Sequence, residues 1–94
     1  MFINTKNKLI WKNGSFEKWD DSNVHVLSHT LHYGTGVFEG VRAYNTSNGP
    51  AIFRLNDHTN RLFSAADKIS IKIPFSEDQL NKAQCDAFNI NKLS

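Results

Sequence analysis

At 94 residues the chain can hold at most one small domain, with a modest core. Its composition, 39% hydrophobic against 21% charged, is too apolar for a disordered segment, and a net charge of +2 with acids scattered among the bases leaves no cationic stripe for a run of phosphates. No apolar run nears the ~20 residues of a membrane span and the N-terminus lacks the apolar core of a signal peptide, so the expectation is a soluble cytoplasmic protein that binds neither nucleic acid nor membrane.

The first segments, Leu9 to Trp11 and Ser15 to Trp19, are strand-like and flank "KNG", whose Asn-Gly step suits a tight hairpin turn. The stretch "DDSNVHVLSHTLHYGTG" is polar and then punctuated by glycine, which predicts a loop with one or two helical turns around Ser28 to Tyr33. From Gly36 to Tyr44, Val37, Glu39, Val41 and Ala43 share one parity while Phe38, Gly40, Arg42 and Tyr44 share the other, as in a strand with two unlike faces. The turn "NTSNGP" and the short run "AIFRL" complete a second hairpin over residues 36 to 55. Asn56 is placed as a helix N-cap with Asp57 in the first turn, and Leu62, Phe63, Ala66 and Ile69 recur at helical spacing, predicting a helix over 57–68. After "ISIKIP", with its period of two, Ser76 and Gln79 form a capping-box pattern, and Leu80, Ala83, Ala87 and Phe88 supply the stripe of a second helix. The order predicts an α+β fold: a mostly antiparallel sheet of hairpins covered by two helices, with a core thin enough to want a further partner.

Several residues carry chemistry worth weighing. Gly34, Gly36 and Gly40 are spaced G-x-G-x-x-x-G and lead into a strand, unlike a dinucleotide fingerprint, so turn formation and relief of crowding account for them. His25, His29 and His32 stand at i, i+4 and i+7, a spacing that could present three imidazoles to a transition metal; "VHV" reads as extended, which separates His25 from the other two and leaves polar loop roles as the default. His58 is expected to be exposed. Arg61 precedes Leu62 and Phe63 at the edge of the apolar stripe, where a guanidinium can grip an anion through two parallel hydrogen bonds or form an ion pair with Asp57 or Asp67; Arg42 and Arg54 share the ambiguity. Lys72 alternates with Ile71 and Ile73 and should point away from them, which disfavours it as a Schiff-base lysine. Cys85, the single cysteine, rules out an internal disulfide and reads as a small buried or half-buried apolar residue.

"VHVLSHTLHYGTGVFEGVRAY", followed by "GPAIFRLNDHTNRL", resembles the N-terminal region of branched-chain amino-acid aminotransferases, the fold-type IV group of pyridoxal-phosphate enzymes. The similarity runs from about Ile10 to Ser94 and is densest between Val24 and Leu62; Thr35 stands where related D-amino-acid transaminases and aminodeoxychorismate lyases typically carry aspartate. The resemblance implies that residues 1–94 are the N-terminal small domain, cut before its last strands and before the domain bearing the lysine. It also implies amino transfer between leucine, isoleucine or valine and 2-oxoglutarate, with pyridoxal 5'-phosphate as cofactor and a homo-oligomer built on a dimer. By position, Arg61 would bind the cofactor phosphate, Phe38 would line the substrate pocket and Tyr33 would reach the pocket of the other subunit. Gly40 would let the substrate approach, and Glu39 and Arg42 would order the strand or pocket edge. The Schiff-base lysine, the acid facing the pyridine nitrogen and the second phosphate-binding segment would all lie beyond Ser94, so no catalytic residue is expected in this chain and the chain alone should not transaminate. Two rival readings are a catalytically inactive interaction module pairing with full-length subunits and a small histidine-based metal-binding protein.

Overall fold

A computed structural model describes residues 5–93. Strands β1 (Leu9–Lys12) and β2 (Ser15–Lys18) pair antiparallel with Trp11 opposite Phe16. Their turn works as the sequence predicts, since Asn13 and Gly14 both take positive φ, 52° and 102°, which matches the twist of a two-residue hairpin. A single 3-10 turn at Trp19–Asp21 and a coil lead to the short helix α1 (His29–Tyr33). Strands β3 (Ala43–Thr46) and β4 (Gly49–Ile52) form the second hairpin, then α2 (Leu55–Lys68) and α3 (Glu77–Ile90) follow. The α+β class and the antiparallel hairpins are as expected; among the described residues, however, the hairpins form two separate two-stranded sheets.

The second hairpin is shorter than its sequence pattern. Its ladder ends where Phe53 N–H donates to Arg42 O at 2.7 Å, because Arg54 adopts φ 52° and ψ 43° and turns the chain directly into α2. Phe53, Arg54 and Leu55 are therefore not strand, and residues 36 to 42 have no strand to pair with among the described residues. Helix α2 accordingly begins before the predicted start: Arg54 is its N-cap without a side-chain cap, and Asn56 lies inside the helix, where its Oδ1 accepts from Asn81 Nδ2 on α3. The α3 start is as predicted, with Gln79 N–H donating to Ser76 Oγ and Ser76 N–H donating to Gln79 Oε1. Helix α2 ends in a Schellman arrangement, Ile71 N–H to Ala66 O and Ser70 N–H to Asp67 O, with Ser70 at φ 62° in the place glycine usually takes.

Among the described residues the fully buried core is small. Ala66 and Ala83 are buried, and so is Thr59, whose hydroxyl donates to Asn81 Oδ1 and accepts from Gln84 Nε2. Around this seam, Trp11 and Phe75 meet edge to face at 5.0 Å and join the first hairpin to the entry of α3. Between that hairpin and the helices runs a groove of about 410 Å³ whose lining includes Leu9, Trp11, Val41, Leu62, Leu80 and Ala87. The chain exposes 7782 Å², whereas a folded monomer of 10.7 kDa exposes about 5,500 Å². Cys85 contradicts its sequence reading and is exposed; lying two residues after Ala83, it is carried roughly 200° round α3 from the packed face.

One polar clamp ties the first hairpin to the end of α3. In the β1–β2 register Leu9 directs its backbone away from β2, and the Asn91 amide takes both groups: Leu9 N–H donates to Oδ1 at 2.7 Å and Nδ2 donates to Leu9 O at 2.9 Å. Asn91→Ala should strand both groups in a half-buried position and lower stability by about 1–3 kcal/mol, read as a shift of the urea unfolding midpoint.

Candidate functional site

Residues 36 to 42 carry no ladder, yet alternation survives over 36 to 40: Val37 and Glu39 face inward while Gly36, Phe38 and Gly40 are exposed; Val41, expected on the inward parity, is 37% exposed. An acid on the inward parity needs a cation, and α2 supplies one. Arg61 Nε donates to Glu39 Oε2 at 2.8 Å and Nη2 donates to Oε1 at 2.6 Å, a bidentate pair closing a gap of 22 residues. His58, one helical turn before Arg61, places Nδ1 3.5 Å from the same Oε1. The carboxylate is the inner member, its side chain 15% exposed against 70% for the guanidinium. Neither acid considered from the sequence pairs with Arg61: Asp57 accepts instead from Arg54 Nε at 2.7 Å. His58 is half-buried instead of exposed, because its position on α2 faces Glu39.

The electrostatics follow the geometry. Hydrogen bonding from Arg61 is the main force holding the Glu39 carboxyl down to about 2 from an ordinary 4.5; burial opposes it and His58 assists. Arg61 is raised in turn, chiefly by its hydrogen bond to Glu39. The guanidinium spends its Nε and one Nη2 hydrogen on Glu39, and among the described residues its Nη1 hydrogens and second Nη2 hydrogen have no protein acceptor. Those donors form the flat outer edge of the group, the edge that accepts two oxygens of a phosphate or carboxylate side by side. The donor set therefore fits an anionic phosphate.

Among the described residues the remaining predicted positions make no hydrogen bond or ion pair to these two side chains. Phe38, adjacent to Glu39 but on the opposite face, is 93% exposed, and Tyr33 is 73% exposed, its ring 4.6 Å from that of His29. A Cβ added at Gly40 would meet nothing within 4 Å, so packing within the described residues does not require glycine there; the relief of crowding inferred from sequence is absent at this position. Gly34, by contrast, caps α1 at φ 65°, and a Cβ at Gly36 would come within 3.2 Å of Thr30 Cγ2. His25 precedes α1 and its Nδ1 accepts from Leu27 N–H at 3.0 Å, while His29 and His32 lie on the helix. Among the described residues no three potential metal ligands gather. Arg42 contributes its backbone oxygen to the hairpin, and Lys72 is exposed between the helices.

The Glu39 to Arg61 pairing is the site feature that sequence reading does not assign. Its signal is a charged residue on the same parity as Val37 and Val41, which demands a partner from elsewhere in the fold.

Comparison with known proteins gives the chain its family. Residues 36–94 match the class IV amino-transferase family, and the chain belongs to that family. Within it, the chain is 50% identical over 93 residues to the branched-chain-amino-acid aminotransferase of Pseudomonas aeruginosa, covering 99% of this chain and 30% of that protein. It is 43% identical over 89 residues to the Escherichia coli K12 enzyme of the same name, covering 95% and 29% respectively. Among solved structures, the T.th. branched-chain amino acid aminotransferase complexed with N-(5'-phosphopyridoxyl)-L-glutamate superposes with a TM-score of 0.88 at 46% identity, over 90% of this chain and 28% of that one. An Escherichia coli branched-chain amino acid aminotransferase superposes with a TM-score of 0.90 at 42% identity, over 93% and 30%. The chain thus spans about 30% of the length of the relatives it matches.

Two outcomes follow from the geometry. The Glu39 carboxyl titrates lower folded than unfolded, so its pairing stabilises the fold fully above pH 4.5 and loses that contribution as pH falls through about 2. The difference in unfolding midpoint between the parent chain and Glu39→Gln should therefore shrink over that interval. Phe38→Ala should change stability by no more than about 0.5 kcal/mol in the same assay, since the ring is almost wholly exposed.

Proposed function

We propose that this chain is the small-domain portion of a cytoplasmic branched-chain amino-acid aminotransferase, contributing the cofactor-phosphate anchor and part of the substrate pocket. The observation that carries this reading is the Arg61 guanidinium, held on one edge by Glu39 and open on the other. Pyridoxal 5'-phosphate, when bound, supplies the electron sink that lets an amino acid's α-carbon lose a proton. The substrates are leucine, isoleucine or valine with 2-oxoglutarate, and the working assembly is a homo-oligomer built on a dimer.

The chain's own residues bind and enclose. Arg61 would hold the cofactor phosphate through charge-assisted hydrogen bonds from its free Nη1 and Nη2 edge. Phe38 presents an unpacked aromatic face to an aliphatic side chain and excludes water from it, and Gly40 leaves room for the substrate beside the backbone. Tyr33, exposed on α1, is the residue that would reach the pocket of a second subunit. None of these residues is assigned a proton transfer; their roles are binding and enclosure.

The alternative of an interaction module that pairs with full-length subunits draws on one observation, the cluster of exposed apolar residues Val24, Val26, Leu27 and Leu31 leading to Tyr33. It shares the dimer contact with the first reading and omits the cofactor.

The test is Arg61→Ala in the full-length enzyme carrying this segment. Loss of charge-assisted hydrogen bonds worth about 1.5–3 kcal/mol should weaken pyridoxal phosphate binding roughly ten- to a hundredfold, measured by titrating the cofactor-free protein. Unchanged affinity would remove Arg61 from the site.

A further inference from the structure

Arg61 is a long, mostly exposed side chain, and a free arginine of that kind samples many rotamers. What distinguishes it is that Glu39 engages Nε and Nη2 together, at 2.8 and 2.6 Å, which fixes the guanidinium plane as well as its position. Glu39 is itself held: it shares the inward face of residues 36 to 42 with half-buried Val37, and half-buried His58 lies 3.5 Å from its Oε1. The side edge of the guanidinium is thus consumed, leaving the end edge of Nη1 and Nη2 as the face presented to solvent.

We propose that Glu39 is a positioning residue for the phosphate group, aiming the free edge of Arg61 at two phosphate oxygens without touching the cofactor itself. The inference rests on the reading of Arg61 given above. Two effects of Glu39 oppose each other. Its negative charge repels a phosphate, and a carboxylate only 15% exposed is screened less than a surface charge, but the two anions lie on different edges of one guanidinium, whose positive charge stands between them. Fixing the plane rests on two direct hydrogen bonds, and bidentate recognition depends on that plane. Positioning therefore outweighs repulsion, and removal of the carboxylate weakens binding in spite of the charge it removes.

The experiment titrates the cofactor-free full-length enzyme with pyridoxal phosphate and, separately, with pyridoxal, which lacks the phosphate, at about 0.15 M salt. Parent, Glu39→Gln and Arg61→Ala proteins are compared. Glu39→Gln should lose about tenfold in affinity for pyridoxal phosphate, in line with one lost charge-assisted bond, and stay within about twofold for pyridoxal. A purely structural role would weaken both ligands alike and would overturn the proposal, as would unchanged or tighter binding of pyridoxal phosphate. If Arg61→Ala shows the phosphate-specific loss and Glu39→Gln does not, the positioning role falls while the Arg61 reading stands. If Arg61→Ala shows no loss, both fall. Should Glu39→Gln not fold, Glu39→Asp takes its place: it keeps the charge but is one methylene too short for the bidentate grip. A phosphate-specific loss in Glu39→Asp supports positioning, and parent-like binding overturns it.

Discussion

The close approach of α2 to α3 is the constraint on which the rest of this molecule depends. Thr59, buried with both its donor and acceptor used, fixes the register of the two helices through Asn81 and Gln84. Residue 61 lies two positions beyond Thr59, so a helix that turns Thr59 into the seam must carry Arg61 away from it. The exposed, half-tethered guanidinium is thus a by-product of helix packing, and Glu39 needs only to meet it from the side.

That arrangement explains why residues 36 to 40 hold an alternating pattern without a partner strand. A strand usually keeps its faces sorted through a ladder; here a single inward carboxylate does so, anchored to α2 by two hydrogen bonds. The outward face, with Phe38 and Gly40, is then free of any packing duty in this chain. Residues that contribute little to the fold are available for recognition.

Much of the fold is legible in the sequence because the relevant signals are local. Asn-Gly at 13 and 14 writes its own turn, and Ser76 with Gln79 marks the start of α3 to the residue. Expectation and structure part where a distant contact or a backbone choice decides the outcome. Arg54 in a left-handed conformation shortens the second hairpin and moves the start of α2, and no side-chain pattern announces that choice. His58 and Cys85 depart from expectation because helical periodicity says which residues share a face but not which face is covered. The site divides in the same way. Arg61 is visible as a cation at the edge of an apolar stripe, whereas the acids that sequence offers as partners lie four to six residues away and the real one stands 22 residues distant. The family resemblance brings Tyr33, Phe38 and Gly40 into view, which local physics does not single out.

The Asn91 amide has a meaning beyond its hydrogen bonds. The outer edge of β1 offers a backbone donor and acceptor at Leu9, the kind of unpaired edge that recruits strands from other molecules. By filling that position with a side chain from the end of α3, the chain closes its own edge at Leu9. Any strand added alongside β1 would first have to displace Asn91 and loosen the last turn of the helix, so growth of this sheet in that direction is coupled to the integrity of a helix whose end lies 82 residues away in sequence.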